Sequence, residues 1–172
     1  MSIYKFAEQM AKKYGEDNTA FPDLAKASVY LFNLNRVATE ASNAISTEDL
    51  SAIKVAISNL LKLKPLDSNF PSAFSSETKN TFLSAASLDK NTLNYKEELN
   101  RVGFFLASLI EDVAALKTAI DVVIGDLRVK NKSSLNKDIE SVKEVLNTKI
   151  APNRKIFGLT GPIFSALDKA KL

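Results

Sequence analysis

Between Asn94 and Val129 the chain has no proline, and Leu99, Val102, Leu106, Leu109, Val113, Leu116, Ile120, Val123 and Leu127 recur at alternating three- and four-residue spacing. That period keeps one apolar edge in line along an α-helix, whereas a strand would need alternation at every second residue. The run predicts one long central helix over about 92–129. Asn94 and Glu97 stand at the spacing of a capping box that would start it. Phe105, Ile110, Ala114, Ala119, Val122 and Ile124 flank the seam. The apolar arc is therefore wider than a two-stranded seam requires, and the helix should touch more than one partner. At 1.5 Å per residue such a helix reaches roughly 57 Å, against a diameter of about 40 Å for a compact chain of this size. Either the fold is elongated or the helix bends, and Gly103 is the expected bend.

The remaining punctuation is helical as well. Ser2 precedes an apolar face of Ile3, Phe6, Ala7, Met10 and Tyr14, and Gly15 stops it. Pro22 opens a second helix carrying Ala27, Leu31, Leu34, Ala38, Ala41 and Ile45. Ser46 to Asp49 end it and cap a third, with Leu50, Ile53, Ile57 and Leu60 inward. Pro65 and Pro71 bracket an irregular stretch, and a short helix follows at about 77–87. Lys130 to Ser133 form a short polar connection to a helix with Leu135, Ile139, Val142, Leu146 and Ile150, which should make an antiparallel hairpin with the long helix. Pro152 stops that helix, Gly158 and Gly161 supply a joint, and Pro162 starts a last short helix. The expected fold is one all-α domain over 1–172: an elongated, up-down helical bundle of about four principal helices with short extra ones.

Composition narrows the chemistry. Among 172 residues there is no Cys and no His, which removes thiolate and imidazole ligands and the usual nucleophile-base pairs. The Glu-x-x-His pattern of helical di-iron sites goes with them. Ser-x-x-Lys occurs five times, as at Ser51 and Lys54, but its frequency and the lack of accompanying motifs argue against acyl transfer. The acid pairs Glu48-Asp49, Glu97-Glu98 and Glu111-Asp112 read as solvated helix-surface groups, with Arg101 placed to pair with Glu97. No catalytic residue, cofactor or metal is expected, and the chain reads as non-enzymatic. Uncharged runs such as the nine residues Val102–Ile110 fall far short of the roughly 20 that cross a bilayer. Lys5 and Glu8 interrupt what would be a secretory leader, so the expected location is the cytoplasm or a virion.

Two groups of residues remain as candidate sites. Residues 128–155 carry Arg128, Lys130, Lys132, Lys137, Lys143, Lys149, Arg154 and Lys155 against three acids, the one biased stretch in a chain of net charge +3. Seven of these, Lys143 excepted, are candidate phosphate contacts in a coat or nucleoid protein, although helical rise separates the tip cluster from Lys149, Arg154 and Lys155 by about 25 Å. The tail over 156–172 places Ile156, Phe157, Leu159, Ile163, Phe164 and Leu167 beside basic residues. It either caps its own bundle or docks on a second subunit, with the glycines as a hinge. The favoured expectation is a structural or interaction protein that assembles with itself or another protein through helix faces, as viral and phage particle components of similar composition do. The alternative is a nucleic-acid-associated helical protein.

Overall fold

The structure is a computed structural model that describes residue 9 and residues 20–63, 74–91, 93–153 and 156–172, without the side chains of 153 and 157. The expected first helix at Ile3 to Tyr14 and the irregular stretch around Pro65 and Pro71 lie outside the described residues. Two long helices organise everything else: α1, Ala20–Thr47, and α4, Tyr95–Val129. At 35 residues, α4 is about 52 Å long. Ser28 bonds to Asp121, Asn35 bonds to Ile110, and Ile45 lies against Gly103. Numbers rising on one helix fall on the other, so α1 and α4 run antiparallel, and theirs is the most extensive packing in the molecule.

Shorter helices cover the two ends of this pair. α2, Leu50–Leu61, packs on α1, and α3, Ser76–Ala86, packs on α2 and α4. Phe82 of α3 meets Phe105 of α4 edge-on at 5.6 Å between ring centroids, and Phe74 adds a second such contact at 5.4 Å. At the other end, α5, Lys132–Val145, folds back along α4. The last helix, α6, Phe157–Lys169, packs on α1, with Lys143 of α5 reaching Asp168 at 3.5 Å. The described residues contain no strand. The fold is an all-α, elongated helical bundle of the expected kind.

The nine seam positions from Leu99 to Leu127 are all exposed by 2% or less, and the inward residues expected on α5 are buried too. The wider arc is narrower than expected. Phe105, Ile110, Ala119 and Ile124 are partly buried against the core, while Ala114 and Val122 face solvent. Apolar character permits burial without requiring it, and among the described residues no helix buries Ala114 or Val122.

Boundaries depart from expectation where backbone geometry overrides local composition. α4 stays helical through Gly103, against which Ile45 of α1 lies. Asn94 takes a left-handed conformation (φ 61°) and makes no side-chain cap, so the capping box with Glu97 does not form. Asp49, rather than Ser46, caps α2, accepting from the amides of Ser51 (3.0 Å) and Ala52 (3.2 Å). Glu48 ends α1 in the left-handed region (φ 56°). Before Pro152, which has no amide to donate, Leu146–Ile150 widen into a π turn in which the Ala151 amide reaches back to Leu146. Leu146 and Ile150, at the two ends of this turn, are both buried.

Gly158 and Gly161 do not form a joint, because both lie within α6, and Pro162 is interior to it. Gly161 removes one of the clashes that keep the residue before a proline out of the helical region, the one with its Cβ, while Pro162 still leaves the Gly158 carbonyl without an amide from position 162. No described helix is long and apolar enough to cross a membrane.

Candidate functional site

The tail residues expected to dock are part of this chain's own core. Ile156, Leu159, Ile163 and Leu167 are each exposed by 2% or less, and Phe164 is half-buried. The Phe157 side chain lies outside the described residues. Their 3–4 spacing gives α6 a continuous apolar edge, which packs on α1 and the π turn. A docking role for these residues requires α6 to leave that site.

The basic residues divide as helical rise dictates. Arg128, Lys130, Lys132 and Lys137 are all exposed at the tip of the α4–α5 hairpin. Lys130 forms the turn itself in the left-handed region (φ 55°), and Asn131 caps α5 by accepting from the Ser134 amide. Lys149 is exposed on the π turn, about 25 Å along the helix axis, and Arg154 and Lys155 lie outside the described residues. The structure therefore joins four of the seven candidate cations at one tip.

Beneath that tip lies a feature the sequence did not disclose. Asp126, on the last turn of α4, is 8% exposed, and its Oδ2 has no hydrogen-bond partner. Burial pushes its carboxyl up to about 6 from an ordinary 3.8, helped by a hydrogen bond to Asp138 of α5 and by the charge of that carboxylate. Asp112 is also buried, at 9% exposure, so the Glu111-Asp112 pair divides between solvent and interior. Of the other acid pairs, Asp49 serves as a cap and Glu98, not Glu97, pairs with Arg101 at 2.7 Å.

The second unforeseen feature is an outward strip along α1 and α4. Phe104, Ala107, Ala114, Thr118 and Val122 lie at helical spacing on the solvent side of α4, with Glu111 the one charge among them. Phe104 is 78% exposed, Val122 46%, and Phe32 of α1, across an open groove of about 580 Å³ from Ala114 and Thr118, 56%. Two of its lining residues, Asn35 and Lys117, are held by hydrogen bonds. Ser28 donates to Asp121, which also holds Lys117 at 2.5 Å, and the Asn35 amide donates to the Ile110 carbonyl at 3.1 Å. Exposed Phe32 was legible as an apolar residue off the Leu31–Leu34 edge, but nothing local said what would lie opposite.

Among the described residues, no group of three or more His, Cys, Asp or Glu side chains is gathered as a metal site would need. Comparison with protein-family models, with curated proteins and with solved structures finds no match.

Proposed function

We propose that this chain is a non-enzymatic structural or interaction protein that packs a helix face against a further chain, either a second copy or another component of a larger assembly such as a viral particle. The observation behind this reading is the exposed strip of Phe104, Ala107, Ala114, Thr118 and Val122 on α4, with Phe32 of α1 across a groove from Ala114 and Thr118. A helix of a self-sufficient bundle places charged groups on its solvent side, and apolar strips left outside mark contact surfaces. The sequence supports the non-enzymatic part, since without His or Cys the commonest nucleophile-base pairs cannot be built.

Light scattering coupled to size exclusion tests the reading. Wild type should elute as a defined oligomer at low and moderate salt. Val122→Glu and Phe32→Asp should lower its mass while leaving helicity and urea midpoint in place. A monomeric wild type would sink self-association.

A second reading rests on the four exposed cations at the hairpin tip. With no Trp and four Tyr, the chain absorbs weakly at 280 nm, so bound nucleic acid would dominate at 260 nm. A large species with excess 260 nm absorbance that dissociates in salt would move the function to Arg128, Lys130, Lys132 and Lys137.

A further inference from the structure

We propose that Asp126 and Asp138 form a carboxylate clasp between α4 and α5 that holds one shared proton when the hairpin is closed and pushes the two helices apart when that proton leaves. The inference is independent of the docking strip. Three observations meet at the same place. Asp126 is more than nine-tenths buried, and its Oδ2 lacks a hydrogen-bond partner. The side chain that acts on it is a second carboxylate, Asp138, in the second turn of α5. Asp126 also sits in the last turn of α4, where the helix dipole presents its negative end and disfavours another negative charge.

No ion pair among the described residues includes either carboxylate. The charged groups around them are Arg128 and Lys130 beyond Asp126 on α4, and Lys132 and Lys137 on α5, all exposed. On α1, the antiparallel register set by Ser28 and Asp121 brings Asp23 and Lys26 to this level. A proton is the smallest group that relieves two facing carboxylates, and sharing it turns repulsion into a hydrogen bond. Lost, it leaves two anions beside a two-residue turn.

The direction of the pH dependence follows from linkage. Folded Asp126 holds its proton up to about pH 6, whereas an unfolded Asp releases it near 3.8. Between those values the folded state binds more protons, so this contribution is fully present below 3.8 and is lost as pH rises through 6. The difference corresponds to a folding equilibrium lowered on the order of a hundredfold.

Urea unfolding of wild type, Asp126→Asn and Asp138→Asn between pH 4.5 and 8 tests the clasp. Asparagine keeps the shape and needs no proton to remain neutral. Asp126→Asn should exceed wild type at pH 7.5 by up to about a hundredfold in folding equilibrium, Asp138→Asn by less because the burial of Asp126 remains, and both gaps should shrink to a few-fold or less at pH 4.5. A gap that does not change with pH, or variants weaker than wild type at pH 7.5, overturns the proposal. So does saturable stabilisation of wild type alone by Mg²⁺ or Ca²⁺ at pH 7.5, which would put a divalent cation where the proton is placed. A carboxyl ¹³C titration completes the test: a midpoint for Asp126 near pH 6 that falls in Asp138→Asn supports the clasp, and one near 4, or one that Asp138→Asn leaves unchanged, refutes it.

Discussion

The two faces of α4 share one backbone, yet the apolar side chains they carry have opposite fates. Its inward face carries nine Leu, Val and Ile side chains, none more than 2% exposed. Its outward face carries Phe104, Ala107, Ala114, Thr118 and Val122 in solvent. What separates them is whether another helix lies opposite. α1, α3 and α5 close around the inward edge, and no described element closes the outer one. Hydrophobicity supplies the drive for burial, but topology decides which residues receive it.

The largest test of that contrast is to remove the same chemistry from both faces. Leu116→Ala empties a fully buried site between packed helices and should cost about 2–5 kcal/mol in urea unfolding, the range for buried leucine. Val122→Ala, six residues on, should change stability by no more than about 0.5 kcal/mol. If Val122→Ala instead costs as much as a core truncation in a protein that scatters as a monomer, the outer face is already covered and the comparison collapses. If it costs nothing to the monomer but weakens an oligomer, the outer face is a contact surface.

A smaller effect probes the border between the faces, where Ser28 of α1 donates to Asp121 of α4. Ser28 is 8% exposed, but Asp121 keeps 42% of its side chain in water and also holds Lys117. Ser28→Ala should therefore cost about 1 kcal/mol rather than the roughly 1.5–3 of a fully enclosed charged hydrogen bond. A loss at or above the upper value would show that Asp121 depends on Ser28 and that Lys117 does not compensate.

The same contrast explains how much could be read beforehand. The inward seam was legible because Leu99 to Leu127 repeat at one period, and a periodic signal specifies a face without reference to anything distant. Val122 and Ala114 were assigned to the buried arc on hydrophobicity alone, a property that does not report the missing partner helix. Asp112 failed in the opposite sense, and Asp126 was not singled out at all. A carboxylate in a helix pattern reads as outward, and only the position of α5 reveals that Asp126 is enclosed and faces Asp138. The α6 glycines misled because Gly158 and Gly161 look like a hinge in isolation, whereas both lie within the helix. The basic residues were legible as composition, and the rise of α5 correctly separated Lys149 from the tip. Their use was not legible, because exposed lysines at a helix end suit solvent, the dipole and phosphate alike.

The two glycines of α4 give the finest comparison. Neither has positive φ, so each lies in the helix without needing glycine's freedom, and alanine in its place removes unfolded-chain entropy. A Cβ at Gly125 would meet nothing within 4 Å, whereas one at Gly103 would come to 3.5 Å from Ile45 Cγ2, ordinary van der Waals contact. Gly125→Ala should stabilise the monomer by about 0.5–1 kcal/mol. Gly103→Ala should gain the same propensity and add contact with α1, so its gain should equal or slightly exceed that at Gly125. The order of the two urea midpoints is the readout. Should Gly103→Ala lose stability while Gly125→Ala gains it, α1 and α4 are packed more tightly at Ile45 than a 3.5 Å separation indicates, and the bend expected from the sequence at Gly103 regains a physical cause.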